Sequence, residues 1–229
     1  MAEQTNPLKR EDKKRLVIEM AVLLGVLYLP SELAQLLGTS SFRLGHWSTE
    51  EMISRIVLDV PRMLLILYFV YVASADLKKP RFTFDARWDI AIGVLIFCFS
   101  RVLWESALTL SYKLPFSLAI TVHKWIPPLW VFGLALITIA VSAFYEEMLM
   151  RWYVISRLEQ IGIRTWAALL ASVILFGSVH FYEGYLGMAH ASADGLIYGI
   201  CFVLTRRIWP SVLAHFLWNF ILCLQVGHP

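Results

Sequence analysis

Apolar residues along this chain gather into seven long stretches, at roughly 16–37, 55–75, 88–110, 126–146, 164–181, 187–205 and 209–226, separated by short polar segments. Several of these stretches are about 20 residues long, enough for a helix to cross the ~30 Å apolar core of a bilayer. The pattern therefore predicts an all-α, polytopic bundle of seven to eight membrane helices. The uncertain member is 147–160. It carries Arg151 and Arg157 among Met148, Leu149, Met150, Trp152, Tyr153, Val154, Ile155 and Leu158, and reads as a candidate eighth, half-embedded helix. Residues 1–15 form a polar, then basic, tail ahead of one membrane domain at 16–229. The first apolar run contains Glu19 and Glu32 and shows no small-residue cleavage site, so it is expected to be a retained span rather than a signal peptide.

Composition strengthens this picture. The chain is 59% hydrophobic and 16% charged, whereas a soluble domain is about half apolar and a quarter charged. One soluble core of this size cannot bury that much apolar surface, so lipid must serve as part of the solvent. The net charge of +3 is then a report on topology rather than a sign of a nucleic-acid partner. With the N-terminus in the cytoplasm, 14 Lys and Arg fall in inside segments and 4 outside, so that orientation is expected. Seven spans would leave the C-terminus outside, and eight would leave it inside. Cys98, Cys201 and Cys223 lie in apolar stretches without metal-type spacing and read as inert core thiols.

Ionisable groups inside spans are costly, and they mark candidate sites. Glu19, Asp59, Arg62, Arg101 and Glu105 are expected to pair between helices or to sit near the interface. Asp59 and Arg62 are three apart, and Arg101 and Glu105 four apart, so each set can pair along one helix. His190 and Asp194, also four apart, are read as a packing pair or as cavity lining. Gly195 and Gly199 form a GxxxG, which lets helices approach closely.

The run FYEEMLMRW (144–152) differs from these. Glu147 and Arg151 share a helix face and can pair. Glu146, with Met148, Leu149 and Met150 as neighbours, has no cation within a turn. A carboxylate without a fixed cation partner is a candidate proton acceptor or donor. Two further elements follow: Phe176-Gly-Ser-Val-His180 at the end of an apolar helix, and His215-Phe-Leu-Trp-Asn219, whose His and Asn are one turn apart. If the chain turns at Ile161–Arg164, Glu147 lies about 14 residues before the turn and His180 about 16 after it. At 1.5 Å per residue both are some 21–24 Å from the turn, level on an antiparallel pair. A single helix over 126–160 would be about 50 Å long, so it must either break near the glutamates or project from the bilayer.

In that order, on apolar helices, EExxxR (Glu146, Glu147, Arg151), FxxxH (Phe176, His180) and HxxxN (His215, Asn219) resemble the CPBP family. These are the CAAX-type prenyl-protein endopeptidases and bacteriocin-processing or self-immunity (Abi) proteins. The run IWPSVLAHFLWN extends the resemblance over the last 90 or so residues. The resemblance implies a helical intramembrane protease with a water-filled cavity. Glu146 would be its general base, His180 would help orient the water, and His215 and Asn219 would stabilise the oxyanion. Glu147 and Arg151 would support them. No cofactor is expected; the alternative is zinc held by Glu146, His180 and His215, a known type of catalytic ligand set. HExxH is absent. No Ser or Cys neighbours the histidines in a nucleophile motif, which disfavours covalent catalysis.

The expected function is hydrolysis of a peptide bond in a membrane-associated or lipid-modified protein or peptide. The alternative is a non-enzymatic self-immunity or partner-binding protein on the same scaffold. A proton-coupled transporter is a third class, but the inverted repeats and matched broken helices common in that class are not found.

Overall fold

The computed structural model describes residues 10–36, 49–71, 79–111 and 129–226. Residues 1–9 of the polar tail, the Glu32 side chain and the loop cations Arg43, Lys78, Lys113 and Lys124 lie outside the described residues. The helices are α1 (Arg10–Leu36), α2 (Thr49–Tyr71), α3 (Ala86–Ser111), α4 (Leu129–Glu147), α5 (Ile155–Gln160), α6 (Thr165–Ser178), α7 (Gly184–Thr205) and α8 (Trp209–Val226). A π-helical turn, Met148–Val154, joins α4 to α5 without a break. Among the described residues there is no strand, only one isolated bridge between Arg81 and Arg207. The all-α reading holds.

Segment 147–160 is not a separate, half-embedded helix. It continues α4 and forms the centre of the bundle: from Met148 to Arg157 no residue is more than 2% exposed. Of the two alternatives for the long fourth helix, the break near the glutamates is absent: α4 runs through the π-helical turn into α5, and protein packs around it. Leu23 and Leu27 of α1, Ile66 of α2, Leu169 and Phe176 of α6, and Phe202 of α7 pack around it.

The outer faces are apolar. Ile18, Val22 and Val26 of α1, Leu95 of α3 and Ile174 of α6 are each more than half exposed. Charged groups are instead inside, with Glu147, Arg151 and Arg157 at most 1% exposed. That inversion suits a chain whose solvent is lipid. Among the described residues three helices, Ala86–Leu110, Phe132–Gln160 and Gly184–Thr205, are long and apolar enough to cross a membrane, and Thr165–Ser178 and Trp209–Leu224 are shorter apolar helices.

The turn after α5 falls where the sequence predicts it. Gly162 sits at φ +99°, in the left-handed region that glycine enters without a Cβ penalty. The α6–α7 pair is close because glycines face it. A Cβ on Gly195 would lie 3.2 Å from the Phe176 ring, and one on Gly199 would lie 2.2 Å from Leu169. The GxxxG thus acts as packing, as expected. α7 ends on Arg206 at φ 55°, whose N–H donates to Phe202 O. This costly backbone position is secured by ion pairs on both residues of the turn. Arg206 donates two hydrogen bonds to Glu159, at 2.8 and 2.6 Å. Arg207 makes two to Asp89 of α3, at 2.6 and 2.7 Å.

Candidate active site

Four charged or titratable side chains meet where α4, its π-helical continuation and α8 cross. Glu147 is fully buried, and Arg151 Nε stands 3.0 Å from its Oε2. The i,i+4 pair expected from spacing is therefore formed. His215 reaches the same carboxylate from α8, with Nδ1 3.0 Å from Glu147 Oε1. A carboxylate oxygen accepts, so Nδ1 carries the proton and donates. The opposite ring nitrogen, Nε2, is turned toward Glu146 Oε2 at 3.9 Å. Glu146 keeps 25% of its side-chain surface accessible, in contrast to Glu147 at none. One glutamate is thus locked into the bundle and its neighbour faces open space.

Arg151 is held mainly by charge and by ring faces. Among the described residues its three guanidinium nitrogens have no well-aligned hydrogen-bond acceptor. The guanidinium carbon lies 4.4 Å from the centroid of Phe176 and 5.3 Å from that of Tyr198. A desolvated cation over aromatic faces gains up to about 2 kcal/mol, which helps offset its burial.

Phe176 links the motifs physically. Its ring lies 4.7 Å from His180 and 6.0 Å from His215. His180 is just past the end of α6, not within it, and its Nδ1 donates to Phe176 O at 2.8 Å. The helix expected to run to 181 stops at Ser178 because Val179 and His180 turn into a short 3-10 segment. Asn219 is half-buried on α8, one turn beyond His215. Both histidines commit Nδ1 to an acceptor.

Among the described residues no three His, Cys, Asp or Glu side chains are grouped as a metal-binding cluster. Glu146, His180 and His215 are not grouped as such a set.

Sequence reasoning did not single out Tyr198, which lies beside His215. Its ring lies 6.1 Å from that of His215, tilted 34°. The available signal was spacing: His190, Asp194 and Tyr198 recur every four residues along one face of α7. His190 and Asp194 do approach, with Nδ1 to Oδ2 at 3.7 Å.

A family model for the Rce1-like proteins, described as type II CAAX prenyl endopeptidase Rce1-like, matches residues 125–221. That span contains all three motifs and agrees with the resemblance they carry. The match covers 97 of the 229 residues. No curated protein and no solved structure matches the chain.

Proposed function

Starting from a C-terminal region that matches the type II CAAX prenyl endopeptidases, we propose that this protein hydrolyses a peptide bond in a membrane-associated or lipid-modified protein with a water activated by Glu146. The observation that supports this reading is the division of labour within the glutamate pair. Glu147 is committed to Arg151 and His215, while Glu146 is accessible and faces His215 Nε2.

The chemistry follows from those positions. Glu146 takes a proton from water as the water oxygen bonds to the scissile carbonyl carbon. The carbonyl oxygen becomes an oxyanion. The His215 Nδ1–H is committed to Glu147, so His215 can offer Nε2–H to that oxyanion only as the imidazolium. Asn219, one turn away, supplies a side-chain amide N–H to the same charge. The C–N bond then breaks, and Glu146 returns its proton to the departing amine. His180 orients the water through Nε2, its Nδ1 being fixed to Phe176 O. Each oxyanion donor is worth a few kcal/mol of barrier.

The test is one assay on full-length protein in detergent micelles, with a farnesylated CAAX-type peptide and its unprenylated twin as substrates. Wild type, Glu146→Ala and His215→Ala are compared with and without a zinc chelator. Cleavage by wild type alone, indifferent to chelator, is the expected result. Loss on chelation would replace the water mechanism with a zinc one. Absence of cleavage, with proton-coupled transport surviving in both variants, would overturn the peptidase reading.

A further inference from the structure

A second buried polar cluster lies beside the site, at the junction of α3, α7 and α8. Asp194 of α7 is 4% exposed. Its Oδ1 accepts from Ser100 Oγ of α3 at 2.5 Å, and its Oδ2 accepts from Tyr198 OH at 3.4 Å. His190, one turn earlier, stands 3.5 Å from Ser100 Oγ through Nε2. A carboxylate buried among helices is expensive, so what it organises matters.

What it organises is Tyr198, which is 1% exposed. Its backbone carbonyl accepts from Ser211 Oγ at 3.2 Å, tying α7 to α8 one turn before His215. Its ring centroid lies 6.1 Å from that of His215 and 5.3 Å from the Arg151 guanidinium carbon. The His215 imidazole therefore has three fixed neighbours: Glu147 in hydrogen-bond contact with Nδ1, the Phe176 ring at 82° to it, and the Tyr198 ring tilted at 34°. Glu147 and Phe176 belong to the recognised motifs. Tyr198 and its anchor Asp194 do not.

We propose that Asp194 and Tyr198 are positioning residues for His215: Asp194 fixes the Tyr198 phenol, and the Tyr198 ring sets the tilt of the imidazole and covers the arginine that holds Glu147. The proposal rests on the assignment of His215 to the reaction centre. His190 completes the packing. Its ring lies 4.3 Å from Trp218 and 4.8 Å from Trp104, so α8 is gripped just past His215 as well as before it.

The test uses the full-length protein in micelles with the same cleavage assay, measuring kcat and KM separately on protein shown to be folded by thermal unfolding. Tyr198→Phe removes one hydroxyl and keeps the ring. Asp194→Asn keeps the shape and removes the charge. Each is expected to lower kcat about tenfold while KM stays within about twofold, because misplacing a catalytic group by a fraction of an ångström slows chemistry rather than binding. The double variant is expected to be no slower than the slower single, since both act along one path. Wild-type kcat in folded Tyr198→Phe, a rise in KM alone, or multiplicative losses in the double variant would each overturn the proposal. If Asp194→Asn fails to fold, Tyr198→Phe decides alone. Glu146→Gln in the same assay separates the two readings. Full activity there refutes the Glu146 base whatever the Tyr198 result, and an inactive Glu146→Gln beside a fully active Tyr198→Phe refutes only the positioning role.

Discussion

His215 stands between two glutamates, with Nδ1 3.0 Å from Glu147 and Nε2 3.9 Å from Glu146. The two carboxylates are adjacent in sequence, yet one is sealed in the bundle and the other is accessible. Their substitution should have opposite signatures. Glu147→Ala leaves Arg151 as a buried cation without its counter-ion and frees the His215 ring, a type of loss worth about 3–5 kcal/mol. Glu146→Gln strands no buried cation and loses only the long, partly exposed 3.9 Å approach to His215 Nε2. Thermal unfolding in detergent should show a large fall in midpoint for the first and little change for the second. Equal shifts would contradict the division.

Arg151 should not be replaceable by lysine. Its guanidinium carbon lies 4.4 Å from the Phe176 centroid and 5.3 Å from that of Tyr198, and a compact ammonium does not reproduce a guanidinium stacked on two rings. Arg151→Lys is expected to cost about 1–2 kcal/mol, read by the same unfolding measurement. A wild-type midpoint would mean the ring contacts contribute nothing.

Gly195 should be sensitive where Gly25 is not. A methyl at Gly195 would press on Phe176 at 3.2 Å and approach Arg151 at 3.8 Å, while nothing lies within 4 Å of a Cβ at Gly25. Gly195→Ala is expected to slow cleavage several-fold by moving the ring that joins His180 to His215. Gly25→Ala, inside α1, is expected to leave cleavage unchanged and to add up to about 1 kcal/mol of stability from helix propensity.

The α7–α8 turn offers a stability test away from the site. Asp89 is fully buried and takes two hydrogen bonds from Arg207. Arg207→Ala would remove both and leave the carboxylate the Asp85 N–H at 2.7 Å but no counter-ion, at a cost of about 2–3 kcal/mol. An unchanged unfolding midpoint would show that the turn is held by other contacts.

Much of this was legible in the chain. Apolar stretches of helical length gave the helix order, and four-residue spacing gave the Glu147–Arg151 pair. Both are local properties, and period alone encodes them. The depth of 147–160 was not legible. Its two arginines read as a half-embedded segment, because sequence does not say that Glu19 of α1 would meet Arg157 inside the bundle. The contact between His215 and Glu147 spans 68 residues and depends on how α8 packs, which no window along the chain contains. Tyr198 was missed for the same reason. A tyrosine on an apolar helix looks like packing until its neighbours across the interface are known.

The most direct test of the central claim is the cleavage rate of full-length Glu146→Gln against wild type, on protein matched for folding by thermal unfolding. Loss of a general base costs about 10²–10⁴ in rate. The expected result is a fall of at least about a hundredfold with an unchanged unfolding midpoint. A folded Glu146→Gln that cleaves at the wild-type rate would contradict the account.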